Sequence, residues 1–279
     1  MGVQGIKSIL IGVSPELERP SAAAAYGLSL ARSASAHASI SALSPEMTLT
    51  HAFVSSTAAG LVAAENRRLL EQARAAVEKI RQDAMAQGVS CSSEAIQKHY
   101  ALLASSFTKR VRTHDLVIVD AEPDSLSLRR GLLEEALFNG GRPMLVIPPN
   151  VETFRVQNIL VAWDGSAKAT RAVNDALPFL RAADHVEVLS VIGEKDMSRS
   201  VPGADLAPHL ARHGVNCTVK DLSTPNGDAA EIVRSQAAMN RADLIVMGAY
   251  VHSRLRQLVL GGVTQAMLRD CSIPLMLSY

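Results

Sequence analysis

The sequence carries almost no net charge, and it lacks both paired cysteines and long apolar runs. Its 28 basic and 27 acidic side chains leave a formal charge of +1, so no overall field attracts nucleic acid or an acidic membrane. The three cysteines include no CxxC pair, which argues against a disulfide framework or a cysteine zinc site and predicts a reducing compartment. The first apolar run is short and interrupted by Lys7, unlike a signal peptide. No apolar stretch approaches the ~20 residues of a membrane-spanning helix, so we expect a cytoplasmic protein without nucleic-acid or membrane partners.

Motifs for catalysis are also missing. The sequence contains no GxxxxGK[ST] phosphate loop, no HExxH zinc motif and no recognisable nucleophile–base pair. His209 and His213 lie four residues apart on an expected helix, one turn after Asp205. This spacing fits either a metal-binding face or solvated histidines near a helix end, and the lack of a third ligand favours the second interpretation. An enzyme such as an ATP-dependent hydrolase is therefore the least favoured class of function, and we assign no catalytic residue.

The chain contains an internal repeat. The matching segments occur in the same order, and they are residues 7–12 with 157–162, 37–43 with 185–191, 88–91 with 214–217, 114–119 with 242–247, and 142–147 with 273–277. Each is rich in aliphatic residues without polar alternation, as is typical of strands buried on both faces of a sheet. The repeat predicts two copies of one domain.

Helical periodicity separates the predicted strands. The apolar spacing predicts helices over residues 65–86, 166–182 and 229–239, the second opening at the N-cap residue Ser166. Strands that alternate with helices indicate right-handed βαβ units. We therefore predict an α/β protein of two tandem five-stranded, parallel-sheet, Rossmann-like domains. Two prolines near residues 148–152 place the boundary there and give domains 1–152 and 153–279.

The fifth strand of each copy is expected at a sheet edge. Residues 144–147 and 275–279 are short and apolar, and unpaired edges of this kind are prone to aggregation. We therefore predict that they pair with each other or with a second chain, the latter giving a homodimer through edge strands.

Ligands of open α/β sheets bind beyond the carboxyl ends of the strands, where the strand order reverses. In five-stranded copies this switch point lies between the first and fourth strands. The candidate binding residues of the second copy are Ala162, Trp163, Asp164, Val191, Met247, Gly248, Val251, Gly261, Gly262, Val263 and Thr264. Glycines here leave backbone amides open to phosphate oxygens, and a following helix adds its dipole. The alternative is that the glycines only form a tight turn.

Residues 247–264, MGAYVHSRLRQLVLGGVT, resemble the nucleotide loop of universal stress proteins, G-x2-G-x9-G-[S/T/N] after the fourth strand. The repeat, the Asp after strand one and the closing Pro-aliphatic strand fit that family along the chain. The resemblance implies an adenine nucleotide α-hydrolase-like fold, ATP or AMP binding, and Mg²⁺ with ATP. It implies that Asp164 meets the adenosine and Val191 the base. It assigns ribose and phosphates to Gly248, Gly261, Gly262, Val263 and Thr264.

Two positions depart from the family pattern. Val251 replaces the second motif glycine, and Gly262 replaces the Ser, Thr or Asn that follows Gly261. A β-branched residue disfavours a positive φ and crowds a phosphate, at a cost of about 1–3 kcal/mol if the backbone needs that conformation. We therefore expect weak nucleotide binding. Arg254 and Arg256 fit either phosphate contact or a solvated edge.

The first copy departs further from the pattern. Ser14 stands where the second copy has Asp164, and Asp120 stands where it has Gly248. A carboxylate repels phosphate unless it is protonated or bridged by a metal. We therefore expect this copy to be degenerate and to serve as a scaffold or partner contact.

The leading hypothesis is a stress-response protein whose second copy binds adenine nucleotide weakly, with an unidentified protein partner. At most it shows weak ATP hydrolysis or autophosphorylation. The alternative is an interaction or scaffold protein in which both sites are degenerate and the duplication replaces a dimer.

Overall fold

The computed structural model describes residues 2–15, 20–48, 56–192, 203–224, 227–249, 251–252, 259–270 and 272–279. The strands within these residues are β1 (Ser8–Val13), β2 (His37–Pro45), β3 (Cys91–Lys98), β4 (Leu116–Asp120), β5 (Met144–Ile147), β6 (Asn158–Ala162), β7 (His185–Ile192), β8 (Cys217–Ser223), β9 (Leu244–Gly248), β10 (Val251–His252), β11 (Val259–Leu260) and β12 (Leu275–Ser278). The helices are α1 (Ala22–Ala34), α2 (Ser56–Ala86), α3 (Tyr100–Val111), α4 (Leu128–Gly140), α5 (Ala167–Leu180), α6 (Gly203–Arg212), α7 (Ala229–Met239) and α8 (Gly262–Asp270).

Ten strands form one sheet in the order β3-β2-β1-β4-β5-β12-β9-β6-β7-β8. In each half, the first strand lies between the second and the fourth, which is the predicted switch point. The predicted α/β fold of two tandem, five-stranded parallel-sheet copies is confirmed. The strands β10 and β11 form a separate antiparallel hairpin after β9.

The two copies join through their fifth strands. β5 and β12 pair antiparallel with Leu145 opposite Met276, whereas every other described pair in the large sheet is parallel. The prediction that these edges pair is therefore confirmed in its intrachain form. The outer edges of the sheet are β3 and β8.

Helices cover both faces of the sheet. One apolar core contains the inward residues of α1, α2, α5 and α6, and the other contains those of α3, α4, α7 and α8. Each core includes residues of both copies: Ile11 and Val161 belong to the first, and Val146 and Leu277 to the second. Burial on both faces explains why most strands read as continuous apolar runs. The hydrophobic cores thus cross the seam between the copies.

The segment between β5 and β6 is anchored by one aromatic side chain. Phe154 packs edge-to-face between Tyr26 of α1 and Phe179 of α5, with ring centroids 5.7 and 6.1 Å apart. Its backbone N–H donates to Ser29 Oγ at 3.1 Å. Aromatic pairs of this geometry add to the burial term, so Phe154 holds the first helices of the two copies together. The division at residues 152 and 153 stays a prediction.

Helix bounds follow the sequence with one exception. α7 has the predicted bounds, and Ser166 caps α5 by accepting from Ala169 N at 3.1 Å. The helix predicted from residue 65 begins instead at Ser56, because residues 57–64 lack an apolar stripe but are rich in strong helix formers. Within the described residues, no helix combines the length and the apolar character needed to cross a membrane.

The cysteines of the third strands are half-buried. A cysteine in an apolar strand is most simply a small buried hydrophobe, but Cys91 and Cys217 are both only half-buried. The reason is that β3 and β8 are the outer strands, each with one unpaired edge. Partial desolvation still raises the pKa of the Cys217 thiol. Cys271 lies outside the described residues.

The shared cores predict that the two copies unfold together. Ile40 is fully buried in β2 of the first copy, whereas Trp163, the only tryptophan, lies in the second. We expect Ile40→Ala to lower the free energy of unfolding by about 2–5 kcal/mol. The shift should appear equally in Trp163 fluorescence and in circular dichroism during urea unfolding.

The matched control is Leu126→Ala, since the Leu126 side chain is 91% exposed and its loss should change stability by less than about 0.5 kcal/mol. An unchanged Trp163 midpoint in Ile40→Ala, beside a second transition in circular dichroism, would show that the copies fold independently.

Candidate functional site

The first strand of the second copy ends in a turn that exposes a carboxylate. Trp163 continues β6 by donating its N–H to Leu189 O at 2.8 Å, and it is buried. Asp164 is exposed, and its Oδ1 accepts from Ser166 N at 2.9 Å. Gly165 between them has a φ of 70°, a conformation that glycine adopts without strain. The turn therefore holds the Asp164 carboxylate at the carboxyl edge of the sheet, directly before α5.

Gly248 allows the end of β9 to touch the start of α5. A Cβ built on Gly248 would lie 2.6 Å from Ala169 N and 2.7 Å from Lys168 C, which are backbone atoms. Gly248 also pairs with Ser278 of β12. The observed requirement for glycine is thus its close backbone approach to α5. The ends of β6 and β9 lie together, as the sequence predicted, because these strands pair with Ala162 opposite Met247.

Val251 lies in extended backbone. It forms β10 and pairs with Leu260 of β11. Strand geometry favours a β-branched residue, so the cost expected for a positive φ at Val251 does not arise. The side chain of Val251 lies outside the described part of the structure, as do Arg254 and Arg256.

The start of α8 presents an open surface. Gly262 is the first residue of the helix, it is exposed, and a Cβ built on it would meet no atom within 4 Å. Val263 is 38% exposed beside it, whereas Gly261 and Thr264 are buried. Thr264 is only 1% exposed, and its assignment to the ribose and phosphates stays a prediction. The backbone amides at the amino end of α8 are the groups that can meet an anion.

The remaining candidates lie at the same edge of the sheet. Ala162 is half-buried at the end of β6, and Met247 is buried beside Gly248 in β9. Val191 is half-buried near the end of β7. The structure thus places the predicted residues of the second copy at the carboxyl ends of three neighbouring strands and at the start of α8.

In the first copy, a carboxylate fills the corresponding place. Asp120 Oδ1 accepts from Ala23 N at 2.9 Å and Oδ2 accepts from Ser21 Oγ at 2.6 Å. Burial raises the pKa of the Asp120 carboxyl, and these hydrogen bonds oppose the rise. The amino end of α1 therefore holds an anion supplied by the chain itself. These hydrogen bonds accommodate the carboxylate that the sequence places there.

The start of α4 is also filled by its own chain. Ser127 caps the helix by accepting from Arg130 N at 3.0 Å. The Arg130 side chain is 1% exposed and donates to Glu122 O at 2.9 Å and to Glu134 Oε1 at 2.8 Å. These contacts differ from the open start of α8 in the second copy.

A small open cavity of about 60 Å³ lies at the switch point of the first copy. Its lining includes Ser14, Leu43, Val119 and Asp120. By strand position these residues correspond to Asp164, Val191, Met247 and Gly248 of the second copy. In the sequence, Ser14 and Asp120 indicated only a lost nucleotide pattern, and no motif marked a cavity beside them.

His209 of α6 and His213, which directly follows the helix, form an edge-to-face pair of rings. The centroids of His209 and His213 are 4.7 Å apart, and Arg181 Nη2 lies 3.0 Å from His213 Nδ1. The positive charge of the Arg181 guanidinium disfavours a metal cation at His213 Nδ1. His209 is half-buried rather than solvated, and its Nε2 is buried without a hydrogen-bond partner among the described residues.

Part of the chain is similar in sequence to universal stress proteins. Residues 217–278 match the model of the universal stress protein family. The universal stress protein Slr1230 of Synechocystis is 27% identical over 168 residues, which cover 58% of this chain and 57% of that relative. The chain therefore spans little more than half the length of this curated relative.

Solved structures share the fold. A universal stress protein from Archaeoglobus fulgidus superposes with a TM-score of 0.72 at 14% identity, over 96% of this chain and 97% of that one. A functionally unknown protein from Pseudomonas aeruginosa gives a TM-score of 0.52 at 16% identity, over 98% and 92%. The resemblance seen in the sequence is confirmed by these matches: residues 217–278 fit the universal stress protein model, and the chain shares the fold of a solved universal stress protein along nearly its whole length.

The close approach at Gly248 predicts a structural cost that is independent of any ligand. Gly248→Ala must displace backbone atoms of α5, and we expect it to lower the free energy of unfolding by about 1–3 kcal/mol. Gly262→Ala enters open space and should change it by less than about 0.5 kcal/mol. Urea unfolding of both variants without nucleotide measures the difference. Equal stability of the two would mean that β9 and α5 do not pack as described.

Proposed function

We propose that this chain is a tandem universal stress protein that acts in the stress response and binds an adenine nucleotide, ATP or AMP, in its second copy. The observation that carries the proposal is the combination of the exposed Asp164 carboxylate with the open amino end of α8 at Gly262, both at the switch point. Phosphates suit the free amides and dipole of a helix start. Ribose hydroxyls suit a carboxylate acceptor.

The base and the phosphates are assigned by chemistry. Val191 is half-buried and apolar at the end of β7, which suits the face of an adenine ring. The backbone of Gly261, Gly262 and Val263 is assigned to the phosphates, with Mg²⁺ neutralising part of their charge when ATP is bound. Val251 in extended backbone removes one reason to expect weakened binding.

Nucleotide occupancy is proposed to act on a protein partner rather than to drive turnover. We assign no catalytic residue and expect at most weak ATP hydrolysis or autophosphorylation. It includes a cytoplasmic location, in keeping with the cysteine pattern. A homodimer would have to use an edge other than β5 or β12, because those strands pair within the chain.

The second candidate is an interaction protein that binds no nucleotide in either copy. Burial of Thr264 favours it, since the resemblance assigned this residue to the ribose and phosphates. The self-capped Asp120 of the first copy favours it as well. In this case the duplication replaces a dimer, because β5 and β12 already form the seam that two chains would otherwise share.

Two variants of Gly262 that differ only in charge distinguish the two candidate functions. Gly262→Asp adds a carboxylate in open space at the start of α8, whereas Gly262→Asn adds a side chain of nearly the same shape without charge. We expect calorimetry with ATP and Mg²⁺ to show binding by the wild type and by Gly262→Asn. Binding by Gly262→Asp should be weaker by at least about ten-fold, because like charges repel.

Adenosine serves as the control ligand, because it lacks phosphates and should bind all three proteins alike. Folding should survive both changes, since an acidic residue in the first turn favours a helix. Absence of ATP binding by the wild type would support the interaction protein. Equal ATP binding by Gly262→Asp and Gly262→Asn would mean that the phosphates do not meet the start of α8.

A further inference from the structure

The cavity of the first copy has apolar walls. Leu43 at the end of β2, Val119 of β4, Phe107 of α3, and Leu132 and Leu133 of α4 line it. Its volume of about 60 Å³ gives room for about four or five water-sized groups. Small apolar pockets with a few convergent polar groups, placed at the switch point of an α/β sheet, are the usual sites for small molecules.

One polar group inside this cavity is unpaired. Ser14 follows β1, and its Oγ is buried without a hydrogen-bond partner among the described residues. A buried hydroxyl that makes no hydrogen bond costs free energy, and a ligand that supplies a partner recovers that cost. Ser14 therefore marks the point at which a polar group of a ligand fits.

The charges at the cavity disfavour anions. Asp120 and Glu122 both line it, and Arg129 provides the opposite charge by contacting Glu122 Oε2 at 2.7 Å. The second carboxylate, Asp120, is held by Ser21 and the start of α1. Two carboxylates against one guanidinium leave a negative surplus at the cavity. A phosphate or carboxylate is repelled here, whereas a neutral or cationic group is not.

We propose that the first copy binds a small apolar molecule that carries a hydroxyl or an ammonium group and no anionic group. The apolar body fills the space between Leu43 and Phe107, and the polar group bonds with Ser14 Oγ. This site uses the switch point of a copy whose sequence has lost the nucleotide pattern. It does not depend on nucleotide binding by the second copy.

Three probes of matched shape test this site: isobutanol, isobutylamine and isobutyrate. At neutral pH they carry no charge, a positive charge and a negative charge on the same branched body. We expect isobutanol and isobutylamine, titrated into the full-length ¹⁵N-labelled protein, to shift the backbone amide signals of Gly12, Ser14 and Ala121, which line the cavity. Isobutyrate should bind at least about ten-fold more weakly, because the carboxylates repel it.

Ser14→Ala and Ser33→Ala provide a matched pair of variants. Ser14→Ala removes the unpaired hydroxyl and should weaken isobutanol binding about five-fold, the loss typical of one hydrogen bond. Ser33 is exposed on α1 and does not line the cavity, so Ser33→Ala should bind as the wild type does. Equal binding of isobutyrate, absence of shifts at these amides with every probe, or unchanged binding by Ser14→Ala would overturn the proposal.

Discussion

The antiparallel pairing of β5 with β12 is the constraint on which the rest of the structure depends. It satisfies the backbone of two apolar edge strands that would otherwise promote association. Because every other described pair in the sheet is parallel, this single reversal turns the second copy end to end relative to the first. The carboxyl ends of the strands in the first copy therefore lie at the opposite end of the sheet from those in the second copy. The two switch points are separated by the architecture, and each can evolve its own chemistry.

The two copies differ in how the end of the fourth strand packs against the start of the first helix. Where the fourth strand meets the start of the first helix, the second copy has Gly248 in close backbone contact with α5. The first copy has Asp120, whose carboxylate accepts hydrogen bonds from Ser21 and Ala23 at the start of α1. Gly248 leaves the carboxyl end of β9 without an anion from the chain itself, whereas Asp120 places a carboxylate at the carboxyl end of β4. This difference is the physical basis for expecting an anionic ligand in the second copy alone.

Local sequence patterns predicted most of the fold. The repeat, the apolar strands and the Ser166 cap predicted the parallel sheet, the switch points and the bounds of α7, because each follows from neighbouring residues. The sequence predicted that β5 pairs either with β12 or with a second chain. It could not decide between them, because the edge strand of the same chain and that of another copy have the same sequence. Partial burial of Cys91 was missed because edge position depends on strand order. Burial of Thr264 and the cavity beside Ser14 depend on tertiary packing that no motif encodes.

We propose that one sheet carries two sites of different chemistry, of which only the second accepts a nucleotide. The most direct test is the number of nucleotides bound per chain, measured by native mass spectrometry of the intact protein at saturating ATP and Mg²⁺. We expect one nucleotide per chain. Two nucleotides per chain would contradict it, because the first copy would then accept phosphates despite Asp120 and Glu122. A chain that binds none would remove the nucleotide from its function.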